Sequence, residues 1–386
     1  MTATRKKVLF LYLGRRGALG RFTLELAQAA QEIPKLESIF AVSSMSKNIE
    51  EFAWLRDRLL PLETFNSAAS WSTIRNFFKA RRRLLQRIAT DNVGTVVTLM
   101  PHIWTPLLAR SIRARGTEYV TIMHDAVSHP GDPTASVLPW LRSEARLADH
   151  VVTLSRAVAD HMIGHGFADR RKTHALFLPD LRYDSVFGAK SWSANEPLRL
   201  LFMGRILRYK GLSLLLDAIE MLRADGLQVR LGVAGAGDID VERERLTALG
   251  AEVINRWLED KEIAPLLARY DAMALPYIEA SQSGVAAVAF GSCMPVIAMP
   301  SGGLAEQVIE GKTGVLAQDV SARSFADGIR RLATNPSLYA QISRSLEQGG
   351  PDRSMRTFIE HMLRRDGEID MRAPLKASKS PKASNE

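Results

Sequence analysis

Residues 8–13, Val-Leu-Phe-Leu-Tyr-Leu, form an unbroken apolar run, followed by the glycine-bearing Gly14-Arg15-Arg16-Gly17-Ala18-Leu19-Gly20 and an amphipathic stretch to Ala30. An apolar run of strand length, a glycine turn and a helical period predict strand, loop and helix in that order. The pattern recurs, with strand-like segments at 38–42, 93–99, 119–123 and 150–154 alternating with helix-like segments at 50–87, 105–115, 137–148 and 155–165. Strands alternating with helices argue for a parallel sheet covered on both faces. After a polar break at 190–197 a second series begins, with strands at 198–203, 228–234, 252–255, 271–275 and 295–298 and helices at 211–223, 240–249, 260–269 and 322–333.

The expected fold class is therefore α/β: two doubly wound parallel-sheet, Rossmann-like domains facing each other across a cleft. Their expected bounds are 1–190 and 191–366, with the last helix free to pack back on the first domain. A Lys/Ser/Pro-rich basic tail at 367–386 has the composition of a disordered segment.

The length of 386 residues suits two cores, and 46% hydrophobic with 24% charged residues is ordinary globular composition. No apolar run reaches the roughly 18 residues of a membrane span, and the start lacks a signal-peptide pattern, which predicts a cytoplasmic protein. The single cysteine, Cys293, excludes an intramolecular disulfide and a cysteine-based metal cluster and reads best as a small buried residue. A net charge of +9 implies an anionic partner, whether phosphate, acidic lipid or nucleic acid. Recognised helix-turn-helix, RNA-recognition and zinc patterns are missing, so nucleic acid is not expected.

Three segments of the second half carry candidate chemistry. Gly204-Arg205-Ile206-Leu207-Arg208-Tyr209-Lys210-Gly211 ends a strand and opens a helix, so two cations and helix N–H groups can meet one anion there. A solvated basic turn accounts for the spacing equally well. Glu279-Ala280-Ser281-Gln282-Ser283-Gly284 follows the next predicted strand, joining a carboxylate acceptor to small residues whose amides a ligand can approach, or merely capping a helix. Pro300-Ser301-Gly302-Gly303-Leu304-Ala305-Glu306 makes a third close-approach turn.

Together these segments resemble the donor domain of family 4 glycosyltransferases (glycosyl transferases group 1, the two-Rossmann GT-B architecture), in the branch carrying Glu-Ala-Ser-Gln-Ser-Gly-Val. The resemblance covers about 198–335. Before it, Met123-His124-Asp125-Ala126-Val127-Ser128-His129-Pro130-Gly131 is similar to the family's cleft loop. The resemblance implies a retaining transfer of a hexose from a nucleotide diphosphate sugar, the donor substrate, to a saccharide or lipid-linked acceptor, without cofactor or metal. The acceptor's proton passes to the departing phosphate. By the same token Arg205, Lys210 and Gly204 hold the diphosphate, while Glu279 and the amides of Ser281, Gln282, Ser283 and Gly284 hold the sugar, with His124 on its other face. Gly17 and Gly20 close over the phosphates, and Arg256 and Trp257 border the base. The chain departs from the family pattern at Ala287, where a second glutamate binds ribose, and at Cys293-Met294, where a glycine precedes Pro-Val.

Asp238-Ile239-Asp240 has the spacing of a metal-binding pair but follows Gly235-Ala236-Gly237 at a charged helix start, where capping is the expected role. His102, His161, His165 and His174 are scattered, so each reads as a surface or core residue. The basic helix 75–87, with Arg81, Arg82, Arg83 and the apolar Phe77, Phe78, Leu84 and Leu85, is suited to an anionic inner-membrane surface. It is equally suited to packing on the sheet with its arginines in water. Peripheral attachment would bring a lipid-linked or surface-polysaccharide acceptor, such as lipopolysaccharide core, to the cleft. The alternatives are a non-catalytic nucleotide-sugar-binding subunit and a nucleotide-sugar epimerase of the same architecture.

Overall fold

The computed structural model describes residues 6–15, 17–65, 71–125, 138–183 and 188–364; the His129-Pro130-Gly131 part of the cleft loop and the 367–386 tail lie outside them. The first sheet uses β1 (Lys6–Tyr12), β2 (Leu36–Ser43), β3 (Leu59–Leu62), β4 (Thr95–Thr98), β5 (Glu118–Met123), β6 (His150–Thr153) and β7 (Thr173–Ala175). Around it pack α1 (Ala18–Gln31), α2 (Trp71–Thr90), α3 (Thr105–Arg113), α4 (Leu138–Leu147) and α5 (Arg156–Gly164). The strand order is β3-β2-β1-β4-β5-β6-β7, and every pairing is parallel.

The second sheet contains β8 (Leu198–Met203), β9 (Val229–Ala234), β10 (Glu252–Ile254), β11 (Ala272–Leu275), β12 (Val296–Ala298) and β13 (Gly314–Leu316) in the order β10-β9-β8-β11-β12-β13, again all parallel. Its helices are α6 (Leu212–Ala224), α7 (Arg243–Ala248), α8 (Asp260–Ala268), α9 (Gly284–Gly291), the short α10 (Leu304–Gln307) and α11 (Ala322–Ala333). Two more follow, α12 (Pro336–Gly349) and α13 (Met355–Arg364).

In each sheet the strand order reverses direction once, between β1 and β4 and between β8 and β11. Neighbouring loops diverge at such a reversal, leaving a crevice beyond the carboxyl ends of the strands. The Gly204-Arg205 turn leaves β8 and the Glu279 segment leaves β11, so the second reversal brings both to one crevice.

The helical reading of 50–87 needs correction. A 3-10 segment at Ile49–Arg58 gives way to β3, and the described α-helix of this stretch is α2, from Trp71. Pro61 explains the break: it has no N–H and its ring excludes the preceding carbonyl of a helix, but an outermost strand tolerates it, and β3 is outermost. Within α2, Ala80, Leu84, Leu85 and Ile88 are buried in the core of the first domain, and the Phe77 ring meets Trp104 edge-on at 5.6 Å. Leu84 and Leu85 therefore face the sheet, not a lipid surface. Ile74 and Phe78, at 53% and 59% exposure, are the large apolar residues that α2 leaves outside among those described. No helix among the described residues is long and apolar enough to cross a membrane.

The chain passes between the domains twice. The segment after β7 leads to β8, and after α12 the chain returns so that α13 packs on α1, with the Phe358 ring edge-on to Phe22 at 5.9 Å and to Phe177 at 6.0 Å. Lys6 Nζ donates to the Leu363 carbonyl at 3.1 Å. Both crossings are tied by Asp180 and Arg353, whose Nε lies 3.1 Å from each carboxylate oxygen.

Candidate active site

Strand β8 gives way to Gly204, whose φ of 105° favours glycine and whose carbonyl lies against Gly235; a Cβ on Gly235 would stand 1.9 Å from that oxygen. Gly237 likewise leaves no room beside the Ile206 carbonyl, at 2.2 Å. The Gly235-Ala236-Gly237 turn thus seats the loop that carries Arg205. The adjoining acids do not cap α7, whose N-cap is Glu242; Asp238 Oδ1 accepts from the Asp240 N–H at 2.9 Å and Asp240 pairs with Arg243.

After this loop a 3-10 turn, Arg208–Lys210, delivers Lys210 to the interior, and Gly211 in the left-handed region starts α6. The Lys210 ammonium donates to the Tyr277 hydroxyl at 3.1 Å and lies 4.9 Å from its ring centroid. Burial lowers the Lys210 pKa to about 8, and the nearby Arg205 charge pushes it the same way. The two cations of the loop therefore stand within Coulombic range of each other. Arg205 is exposed and has no hydrogen-bonding or carboxylate partner among the described residues.

Glu279 follows β11 on the same crevice and is exposed. Ser283 caps α9, its Oγ accepting from the Ala286 N–H at 3.1 Å, and Gly284 opens onto free space on its Cβ side. Gln282 Oε1 and Ser301 Oγ are buried with no hydrogen-bond partner among the described residues, leaving two unused polar groups beside these turns. The glycines of the third turn serve backbone packing, since a Cβ on Gly302 would stand 2.0 Å from the Ala280 carbonyl and one on Gly303 1.9 Å from that of Ser281.

From the first domain, His124 leaves the end of β5 and is buried, with Nε2 2.7 Å from the Leu99 carbonyl. A carbonyl only accepts, so Nε2 carries the hydrogen and Nδ1 is left as an acceptor. Burial holds the imidazole below the usual histidine range, so the ring is neutral near pH 7. The charge of the next residue, Asp125, reaches Tyr209 of the second domain, which places the end of β5 opposite the cation loop across the cleft.

The remaining expected residues are placed unevenly. Gly17, φ 107°, is the exposed N-cap of α1, whereas Gly20 is buried in the first turn beneath the Asn48 side chain. Arg256 makes a two-pronged pair with Glu262 at 2.6 and 2.9 Å, and Trp257 is half exposed; both follow β10, two strands from the cation loop. Ala287 is fully buried, its carbonyl accepting from the Leu181 N–H at 3.0 Å, so the segment between β7 and β8 covers the position of the missing glutamate. Among the described residues no group of three or more His, Cys, Asp or Glu is placed to hold a metal.

Sequence reasoning gave Tyr277 and Gln307 no role and placed Glu306 in the third turn without a partner. Tyr277 was foreseeable from its place two residues beyond β11 and two before Glu279; Glu306 and Gln307 act through contacts 150 and 24 residues away in sequence, which no local pattern encodes.

The chain is similar to several known proteins. Residues 197–335 match the family described as Glycosyl transferases group 1. The D-inositol 3-phosphate glycosyltransferase of Streptomyces avermitilis is 27% identical over 275 residues, 60% of this chain and 56% of that protein, so the chain matches about half the length of this relative. The glycogen synthase of Mycobacterium tuberculosis is 29% identical over 309 residues, covering 73% of this chain and 71% of its own length. Among solved structures, HepE of Anabaena in complex with UDP superposes with a TM-score of 0.66 at 16% identity, over 93% of this chain and 100% of that one. The two facing parallel sheets are the GT-B fold, and the second of them, from β8 through α11, is the part of the chain that matches the glycosyl transferases group 1 family.

Proposed function

We propose that the chain is a hexosyltransferase that moves a sugar from a nucleoside diphosphate to a saccharide or lipid-linked acceptor with retention of configuration. The observation that carries this is the placing of buried Lys210, held by a neutral phenol, beside Arg205, which has no partner among the described residues, at the strand reversal of the second sheet. A buried ammonium without a countercharge is costly, and a diphosphate supplies that countercharge. As the bond from the sugar C1 to the diphosphate breaks, charge grows on the leaving oxygen, where the fixed cations lower the barrier. The acceptor oxygen bonds to C1 on the same face and its proton passes to the departing diphosphate. Glu279, Gln282 and the start of α9 are suited to the sugar's hydroxyls, and the free Nδ1 of His124 to one more from the opposite face.

Melting temperatures with UDP-, GDP- and ADP-sugars test the donor half, because a ligand that binds only the folded protein raises the midpoint. The expected result is a rise with one nucleotide class, abolished in Arg205→Ala. No rise with any of them in the unmodified protein would remove the proposal.

Attachment to an acidic membrane rests on Ile74 and Phe78, exposed beside Arg75, Arg82 and Arg83 on the outer face of α2. Phe78→Glu should lose binding to vesicles containing phosphatidylglycerol, measured by co-sedimentation, with folding unchanged. Equal binding by variant and parent would end this part of the reading.

A further inference from the structure

Helix α10 has four residues and bonds both domains. Its Glu306 reaches across to the first turn of α5, where one carboxylate oxygen accepts from the Arg156 N–H and the other from the Ala157 N–H, each at 2.7 Å. The next residue, Gln307, holds the donor loop: its Oε1 accepts from the Ser283 N–H at 2.6 Å and its Nε2 donates to the Ser283 carbonyl at 3.3 Å. Beside them Ser155, which caps α5 by accepting from Val158, donates to the Ser281 carbonyl at 2.8 Å. Gly303 lies between, and a Cβ there would come 2.8 Å from the Ser155 side chain.

A carboxylate on the free N–H groups of a helix start makes charge-assisted bonds, and these cross from one domain to the other. Opening the cleft strips both oxygens of their donors at once. A single helical turn cannot tilt one residue without the next, so Gln307 moves with Glu306, and the backbone of Ser283 moves with Gln307. We propose that Glu306 and Gln307 are positioning residues that set the donor loop, 281–284, in its binding shape when the two domains close. This rests on the reading of 281–284 as donor-binding; the bonds themselves do not.

The test is amide hydrogen exchange on the full chain, comparing the parent with Glu306→Ala, Glu306→Gln and Gln307→Ala. Local opening raises exchange where protection is lost. Glu306→Ala should raise exchange about tenfold or more at 156–157 and also at 281–284, whereas Gln307→Ala should raise it at 281–284 and leave 156–157 alone. Glu306→Gln, which keeps one acceptor oxygen, should fall between. With UDP-glucose as probe, release of UDP should show a raised KM and lowered kcat in Glu306→Ala, partly restored in Glu306→Gln. If 281–284 keeps parental exchange in Glu306→Ala, or if exchange rises uniformly through the second sheet, the positioning role is wrong. Failure of the parent to release nucleoside diphosphate from UDP-, GDP- and ADP-sugars alike would count against the transferase reading and leave the exchange result standing.

Discussion

Lys210 and Tyr277 form a buried cation–phenol pair, Nζ to hydroxyl 3.1 Å, in which the ammonium has no carboxylate partner among the described residues. Its pKa in the folded protein, about 8, lies below the ordinary 10.5, so the folded state binds fewer protons than the unfolded one between those values. Stability should therefore rise with pH across that window, and at pH 7 the buried charge costs on the order of 3 kcal/mol. Lys210→Met should stabilise the free protein at pH 7 yet abolish its response to nucleotide, two effects of opposite sign in one thermal-denaturation series.

Diphosphate binding by the same group has its own pH signature. If the ammonium grips the ligand, UDP affinity should be level below pH 8 and fall up to about tenfold per unit above it, with proton uptake on binding. Titration calorimetry in two buffers of different ionisation enthalpy measures both quantities. A profile flat to pH 10 would separate Lys210 from the ligand.

Glu144 supplies an internal control in the first domain. It is fully buried and accepts from Tyr119 at 2.8 Å and Thr121 at 2.9 Å, with Thr105 as a third partner, and burial raises its pKa to about 7. The folded state keeps this proton more tightly than the unfolded one, so its contribution is present below about pH 4.5 and lost as pH rises through 7, a swing on the order of 3 kcal/mol. Glu144→Gln should flatten that loss and exceed the parent in stability at pH 8, read from urea midpoints at pH 5 and pH 8.

Gly211 joins the cation loop to α6 with φ 71°, and a Cβ there would stand 2.0 Å from the Pro276 carbonyl. Gly211→Ala should cost about 2–4 kcal/mol, because backbone and not a side-chain tip must shift. Since Tyr277 follows Pro276, the same change should weaken nucleotide binding beyond what the stability loss explains.

Cys293 is wholly buried at φ 51°, and burial raises its thiol pKa to about 11. The folded protein should resist thiol reagents at pH 8 and react on unfolding. Cys293→Gly should lie within about 1 kcal/mol of the parent, as relief of the left-handed backbone offsets the lost packing.

That position shows what the sequence made legible. The resemblance calls for a glycine before Pro-Val, and the left-handed backbone at Cys293 is the physical reason for one. The βα alternation was readable because buried parallel strands are continuous apolar runs, as at Val8 to Leu13. What escaped was short or unpatterned: β7 is the largely polar Thr-His-Ala, β13 is the brief Gly-Val-Leu, and β3 was hidden because Leu59-Leu60-Pro61-Leu62 sits among helix-like residues. Within the site, chemistry on one loop was visible, as with Arg205 and Lys210. Contacts between loops were not, because the reach of Glu306 to α5 is decided by how two sheets face each other. Exposure was ambiguous too: Leu85 and Phe78 are equally apolar in sequence, and only packing separates them.

The return of α13 to the first domain means that this domain is not a continuous stretch of chain. A fragment cut after α12 would leave Phe22 without its Phe358 neighbour and expose an oily groove along α1. Helix α13 must also leave the ribosome before the first domain can be finished, so its assembly waits for the second. Joining the last helix ahead of β1 by circular permutation would free the first domain to fold on its own.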